Sequence, residues 1–129
     1  MKDLKELTKA EEQIMQIIWD IEKGFVRDVI DLLPYPKPAY NTVSTIVRIL
    51  ESKGFVSHES FGKSHRYFPM VTKEEYRAFM ATKLLNGYFD NSVQNMLSYF
   101  IEEKKLDLKE ADQLLSLIEN AKKNQSWSL

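Results

Sequence analysis

The chain has no cysteine among its 129 residues, which excludes disulfides, thiolate metal sites and a cysteine nucleophile and allows a reducing compartment. It has no apolar run approaching the roughly 20 residues that span a bilayer. Met1-Lys2-Asp3-Leu4-Lys5-Glu6 lacks an apolar h-region, so secretion is not expected and the cytoplasm is the expected location. Glycine and proline are scarce, four of each. No glycine-rich phosphate loop, Gly-x-Ser-x-Gly elbow or His-Glu-x-x-His motif is present, so neither an enzyme nor a cofactor is expected. The paired acids Glu11-Glu12, Glu74-Glu75 and Glu102-Glu103 fall at helix starts or exposed faces, where capping and solvation account for them. Internal repeats and low-complexity segments are also missing.

What is present is an ordinary globular composition, 43% apolar and 29% charged, enough for one domain or two small ones. The net charge of −1 hides an uneven distribution. Residues 1–36 hold five Lys/Arg against eight Asp/Glu, residues 37–71 five against two, and residues 72–129 eight against nine. Positive charge therefore gathers in the middle of the chain, a modest electrostatic footprint for nucleic acid.

That middle segment carries the most telling pattern. Tyr40 to Ser52 reads as one helix closed by Gly54, with Val43, Ile46, Val47 and Leu50 on one face at i, i+3, i+4 and i+7. The opposite face holds Asn41, Ser44, Thr45, Arg48 and Ser52. These are poorer helix formers than the Glu and Lys usual on a solvated face, and they suit a major groove, where short polar groups and a guanidinium reach base edges.

The flanks fit the same design. Thr8 and Glu11 form a capping box for a first helix, with Ala10, Ile14, Ile17, Ile18 and Ile21 inward, Trp19 beside them and Gly24 at its end. A short second helix, about Arg27 to Leu33, turns Val29, Leu32 and Leu33 inward and stops at Pro34-Tyr35-Pro36-Lys37-Pro38. After Gly54, residues 55–60 and 65–70 read as strands joined by Phe61-Gly62-Lys63-Ser64. Three helices followed by a hairpin describe a winged helix-turn-helix domain, expected over residues 1–71. His58 and His65 face each other across the hairpin. A structural zinc needs four ligands, so no metal is expected there, and His65 is a candidate for meeting a phosphate instead.

From Thr72 the pattern is all helix. Capping boxes at Thr72/Glu75 and Asp107/Glu110, and a start at Ser92, predict three helices over residues 72–129, with a break from Gly87 to Asn91. Their large apolar residues exceed what three short helices bury alone, which points to a two-fold dimer through Phe79, Met96, Leu97, Phe100, Leu114, Leu115 and Ile118. Packing of these helices back onto the first domain is the alternative. Trp127 is a candidate for docking across such a dimer.

Spaced motifs carry a family resemblance over almost the whole chain. Leu7-Thr8-Lys9-Ala10-Glu11 with Ile17-Ile18-Trp19, Ala39-Tyr40-Asn41-Thr42-Val43-Ser44-Thr45 through Arg48, Leu50, Lys53 and Gly54, and then Phe89, Leu97, Phe100, Glu102-Glu103 and Leu106, resemble the penicillinase and methicillin-resistance repressors of the BlaI/MecI type. The resemblance implies a winged-helix repressor that dimerises through its C-terminal helices on a palindromic operator. It also implies release by cleavage in the dimerisation domain, in response to a membrane metalloprotease sensor, at a bond corresponding to Tyr99–Phe100. Ile49 stands where relatives often carry a second basic residue, and Tyr99 where they have a smaller one. A copper-responsive branch of the family has a C-terminal cysteine motif, which this chain lacks. The expected DNA contacts are Tyr40, Asn41, Thr42, Ser44, Thr45, Arg48, Lys63 and Arg66. The competing expectation is a winged-helix protein-interaction module that binds no DNA.

Overall fold

The computed structural model describes residues 3–124, so the expectation for Trp127 lies outside the described residues. The chain is mainly α: helices α1 (Lys9–Ile21), α2 (Val26–Leu32) and α3 (Tyr40–Ser52), strands β1 (Val56–Phe61) and β2 (Ser64–Pro69), then helices α4 (Lys73–Tyr88), α5 (Val93–Glu102) and α6 (Leu108–Lys123). It divides into two compact units, Met1–Ala81 and Thr82–Leu129. The first is the expected winged helix, carried ten residues further along the chain than residue 71. No described helix is long and apolar enough to cross a membrane.

Local chemistry sets the helix starts. Thr8 accepts from the Glu11 N–H and Glu11 from the Thr8 N–H, and Asp107/Glu110 and Thr72/Glu75 do the same. Ser92 caps α5 through the Asn95 N–H. The ends hold two departures from expectation. Helix α1 stops at Ile21, where Glu22 turns to φ 69°, so Gly24 is not its terminator. Gly24 instead exchanges both backbone hydrogen bonds with Tyr67 on β2, and a Cβ there would lie 2.5 Å from Ile21 Cδ1. Helix α4 runs through Gly87, and the break comes later, where Asp90 and Asn91 adopt positive φ.

The core of the first unit is a stack of fully buried side chains from its first three helices, Met15 and Ile18 of α1, Val29 of α2, Val43, Val47 and Leu50 of α3, with Phe55 and Val71 flanking the hairpin. Gly54, at φ 84°, makes the sharp exit from α3 that drops Phe55 into this core. Leu32 is exposed rather than inward, whereas Leu33 beside it is buried as expected. Lys37 closes that end: its Nζ donates to the carbonyls of Ile30, Asp31 and Leu33 at 2.8–3.0 Å and sits 4.9 Å from the Tyr35 ring centre.

Tyr76 brings the first half of α4 into the same unit. Its hydroxyl accepts from the Leu7 N–H at 2.9 Å, and its ring packs against Phe55, Trp19 and Phe79. Trp19 Nε1 donates to the Val71 carbonyl at 2.8 Å. Phe79 and Met80, both partly buried, pack on this core, so Phe79 is engaged within the N-terminal unit. In the second unit no residue of α5 or α6 is buried.

One ion pair ties the start of α1 to the end of α3. Glu11 is 6% exposed, and its Oε1 accepts from Lys53 Nζ at 2.7 Å. Burial pushes the Glu11 carboxyl up, but the bonds from Lys53 and Thr8 and the Lys53 charge outweigh it, and the group ends below its ordinary value. A depressed carboxyl stabilises the fold above the ordinary carboxylate range and loses that contribution as pH falls through its folded pKa. Glu11→Gln keeps the cap geometry and loses the charge-assisted bond, a cost of about 1–2 kcal/mol at pH 7. Urea unfolding of both proteins should show this gap, and the gap should shrink progressively below about pH 4.5.

Candidate nucleic-acid interface

Helix α3 buries one side in the core and leaves Asn41, Thr42, Thr45, Arg48 and Ser52 exposed. Asn41, Thr45, Arg48 and Ser52 recur at i, i+4, i+7 and i+11 and form one outward stripe. No acid lies in the first turn, and the start of the helix is free of repulsion toward phosphate. Ile49, 39% exposed, adds an apolar spot beside the stripe.

Ser44 departs from the expected exposed face: it is only 8% exposed. It sits on the flank of α3 that lines a cleft beside the hairpin. There its Oγ accepts from an Arg48 Nη at 3.2 Å, so Ser44 orients the guanidinium rather than reaching outward itself.

The hairpin stands beside that flank. Val56 pairs with Pro69 and Phe61 with Ser64 in an antiparallel ladder, turned by Gly62-Lys63. Its two faces differ. One carries His58, His65 and Tyr67 toward α3. His58 lies opposite Tyr67 and His65 opposite Ser60, so the two histidines are diagonal neighbours rather than a facing pair, and their rings stack at 4.0 Å. The other face carries Glu59 and Arg66. An Arg66 Nη donates to Glu59 Oε1 at 3.2 Å, and its guanidinium lies over the Phe61 ring at 4.8 Å. The Arg66 guanidinium beside Glu59 holds that carboxyl below its ordinary value. Arg66 is thus committed within the hairpin, whereas Lys63 at the tip is exposed.

Between α2, α3 and the hairpin lies an open cleft of about 800 Å³. Arg48, Ser44, Tyr40 and Lys63 line it, so it gathers four of the eight expected contact residues. It also includes Arg27, which the sequence pattern did not single out. Arg27 is exposed on the first turn of α2, and its guanidinium sits 5.5 Å from the Tyr40 ring centre. The signal for it was faint, a single basic residue in an acidic segment. On the floor of the cleft, burial pushes the Tyr67 phenol up and the Glu51 charge adds to that, so Tyr67 remains an O–H donor at neutral pH. Among the described residues no cluster of His, Asp and Glu has metal-binding geometry.

A winged helix with a polar outward stripe on its third helix and a cleft lined with three basic residues is the frame of a DNA-binding regulator. Comparison with known proteins agrees. The profile of the penicillinase repressor family matches residues 7–120. The penicillinase repressor of Bacillus licheniformis is 24% identical over 123 residues, 95% of this chain and 96% of that one. The methicillin resistance regulatory protein MecI of Staphylococcus aureus (strain N315) is 21% identical over 114 residues, 88% and 93% of the two chains. Among solved structures, the DNA-binding domain of the repressor BlaI superposes with a TM-score of 0.51 at 26% identity, covering 59% of this chain and 94% of that one. The chain belongs to the penicillinase repressor family. It is a DNA-binding transcriptional repressor and not an enzyme.

Ser44→Ala tests the bracing of Arg48. Alanine fits the helix and removes the acceptor, so the melting temperature should stay within about 4 °C of wild type while DNA affinity falls about two- to fivefold, the scale of one modest hydrogen bond. Unchanged affinity in a fluorescence anisotropy titration would show that Arg48 is oriented without it.

Proposed function

We propose that this repressor works in the cytoplasm as a homodimer on a palindromic operator, each N-terminal unit reading one half-site. The observation that carries this reading is the division of α3 into a buried apolar side and an exposed side of Asn41, Thr42, Thr45 and Arg48. In this reading Asn41, Thr45 and Arg48 meet base edges, with a good bidentate pair worth about 1–3 kcal/mol of discrimination. Tyr40, Thr42, Arg27 and Lys63 hold the backbone, and Ser44 serves through Arg48. Arg66 contributes charge to the wing but is held by Glu59. The polar stripe and the family together favour DNA over a protein-interaction scaffold.

Dimerisation is assigned to residues beyond Ala81. Leu84, Val93, Tyr99, Ile101, Leu108, Leu115 and Leu117 are all exposed in the single chain, and α5 and α6 bury nothing on their own. Met96, Leu97, Phe100, Leu114 and Ile118 are half-buried beside them. Such apolar surface on two short helices is stable only when covered, and a second copy covers it symmetrically.

Release by proteolysis is assigned to the Tyr99–Phe100 bond, within a sensor pathway that includes a membrane metalloprotease. The bond lies inside α5, so cutting requires local unwinding. A helix with no buried residue opens at low cost. Losing α6 from the dimer would return each half to the weak affinity of one unit.

The test is fluorescence anisotropy on DNA from upstream of the gene encoding this chain, against scrambled DNA, across a salt series. With Arg27, Arg48 and Lys63 as the phosphate contacts of each unit, log affinity should fall against log salt with a slope of about −5 for the dimer. Arg48→Ala should weaken binding about 10-fold or more. Leu115→Asp, at a position 57% exposed in the single chain, should give a folded monomer by sedimentation with a slope near −3 and about 100-fold weaker operator binding. A dimeric Leu115→Asp protein with normal operator affinity would remove this dimer assignment.

A further inference from the structure

The cleft between α3 and the hairpin holds three groups that half-site reading leaves unused: Glu51, His58 and His65. The imidazole rings are parallel within 6° at 4.0 Å. His58 Nδ1 lies 2.7 Å from Glu51 Oε2. A carboxylate only accepts, so Nδ1 carries the hydrogen, and the neutral ring keeps its lone pair on Nε2. His58 is half-buried, and His65, one residue after the start of β2, is exposed. The stack thus runs from an anchored inner ring to an outer ring that solvent or a ligand reaches.

The charges around this stack come from every wall of the cleft. Arg27 on α2, Arg48 on α3 and Lys63 at the hairpin tip are positive. Asp28 on α2 and Glu51 on α3 are negative, and Asp28 is already turned to the Phe25 N–H. The Tyr40 and Tyr67 phenols are neutral. With both imidazoles neutral, the positive charges exceed the negative by one. Two imidazolium ions stacked at 4.0 Å would repel each other, so the pair holds at most one proton at modest cost. Glu51 lies within hydrogen-bond distance of the pair, and Arg27, Arg48 and Lys63 line the same cleft. A phosphate entering the cleft offsets the three cations and tips the balance toward the charged form.

We propose that the stacked His58–His65 pair is a proton-loaded phosphate contact: it takes up one proton from solution as a DNA backbone phosphate enters the cleft. The inference rests on the repressor reading and adds a dependence on pH to it. The sign follows from linkage. The DNA-bound state holds more protons than the free state, so affinity rises as pH falls through the range in which histidine titrates, about pH 8 to 5, and levels off on either side.

The experiment is the anisotropy titration of the full chain on the same upstream duplex at pH 8, 7 and 6, at fixed ionic strength, with a salt series at each pH. Affinity should rise about three- to tenfold from pH 8 to pH 6, below the limit of tenfold per pH unit for one linked proton. The salt slope should steepen by about one for each unit bound, reflecting one more neutralised phosphate. His65→Gln, at an exposed position, should bind with the wild-type strength seen at pH 8 and lose the pH response. Glu51→Gln should bind more tightly than wild type at pH 8, because a carboxylate facing phosphate is gone. Salt-dependent wild-type binding that is flat in pH would overturn the proton-loaded contact and leave the repressor reading intact, as would a His65→Gln protein with the full pH response. Absence of salt-dependent binding, with Arg48→Ala inert, would overturn the repressor reading and this proposal with it.

Discussion

In the proposed reading, helix α3 serves as both a core element and a reading surface within 13 residues, and the rest of the N-terminal unit is arranged around that constraint. Val43, Val47 and Leu50 are fully buried, so the helix is fixed from within by α1, α2 and Phe55. Fixing it from within frees the outer stripe of stabilising duties. Asn41, Thr42 and Thr45 are therefore tolerated there despite modest helix propensity, because burial on the other side supplies what propensity does not.

Both ends of the reading helix are held by lysines used as fasteners. Lys37 donates to three carbonyls at the end of α2 and so defines the turn that leads into α3. Lys53, just past the last turn, reaches back to the buried Glu11 on α1. A base contact needs its side chain placed to well under an ångström, and such placement comes from supports that do not touch DNA themselves. Ser44 belongs with these fasteners. It looks like a groove residue by type, yet it is buried and accepts from Arg48.

Features written in neighbouring residues were legible in the sequence. The capping boxes at Thr8, Thr72 and Asp107, the apolar side of α3, and the hairpin around Gly62 all depend on spacings of a few residues, and each stands where expected. What was not legible depends on partners far along the chain. Glu11 and Lys53 are 42 residues apart, and Glu11 looked like a cap alone. Tyr76 bonds back to Leu7 across 69 residues, which draws Phe79 into the first unit. Whether Ser44 was exposed or buried turned on one helical-wheel step. Gly24 was misread as a helix terminator because its true partner, Tyr67, lies in a distant strand. The motifs over the whole length identified the family, since several weak local signals in one order are jointly specific.

The distribution of cations gives the proposed dimer its physical reason. Between residues 23 and 66 the first unit has seven Lys and Arg side chains. Lys37 is spent on carbonyls, Lys53 on Glu11, and Lys23 and Arg66 both on Glu59. Arg27, Arg48 and Lys63 remain for the cleft, and Glu51 sits among them. Non-specific attraction scales with the phosphates neutralised, so three cations against a resident carboxylate give weak binding at cellular salt. In the proposed reading, weakness of the single unit is what makes the dimer a useful control point. If one unit gripped DNA tightly, separating two of them would not clear the operator. In the proposed dimer each unit grips weakly, the exposed apolar surfaces of α5 and α6 set the effective concentration of the second unit, and breaking that link would change occupancy by orders of magnitude. In that reading, the sparse charge of the first unit and the uncovered apolar surface of the helical unit are two halves of one design.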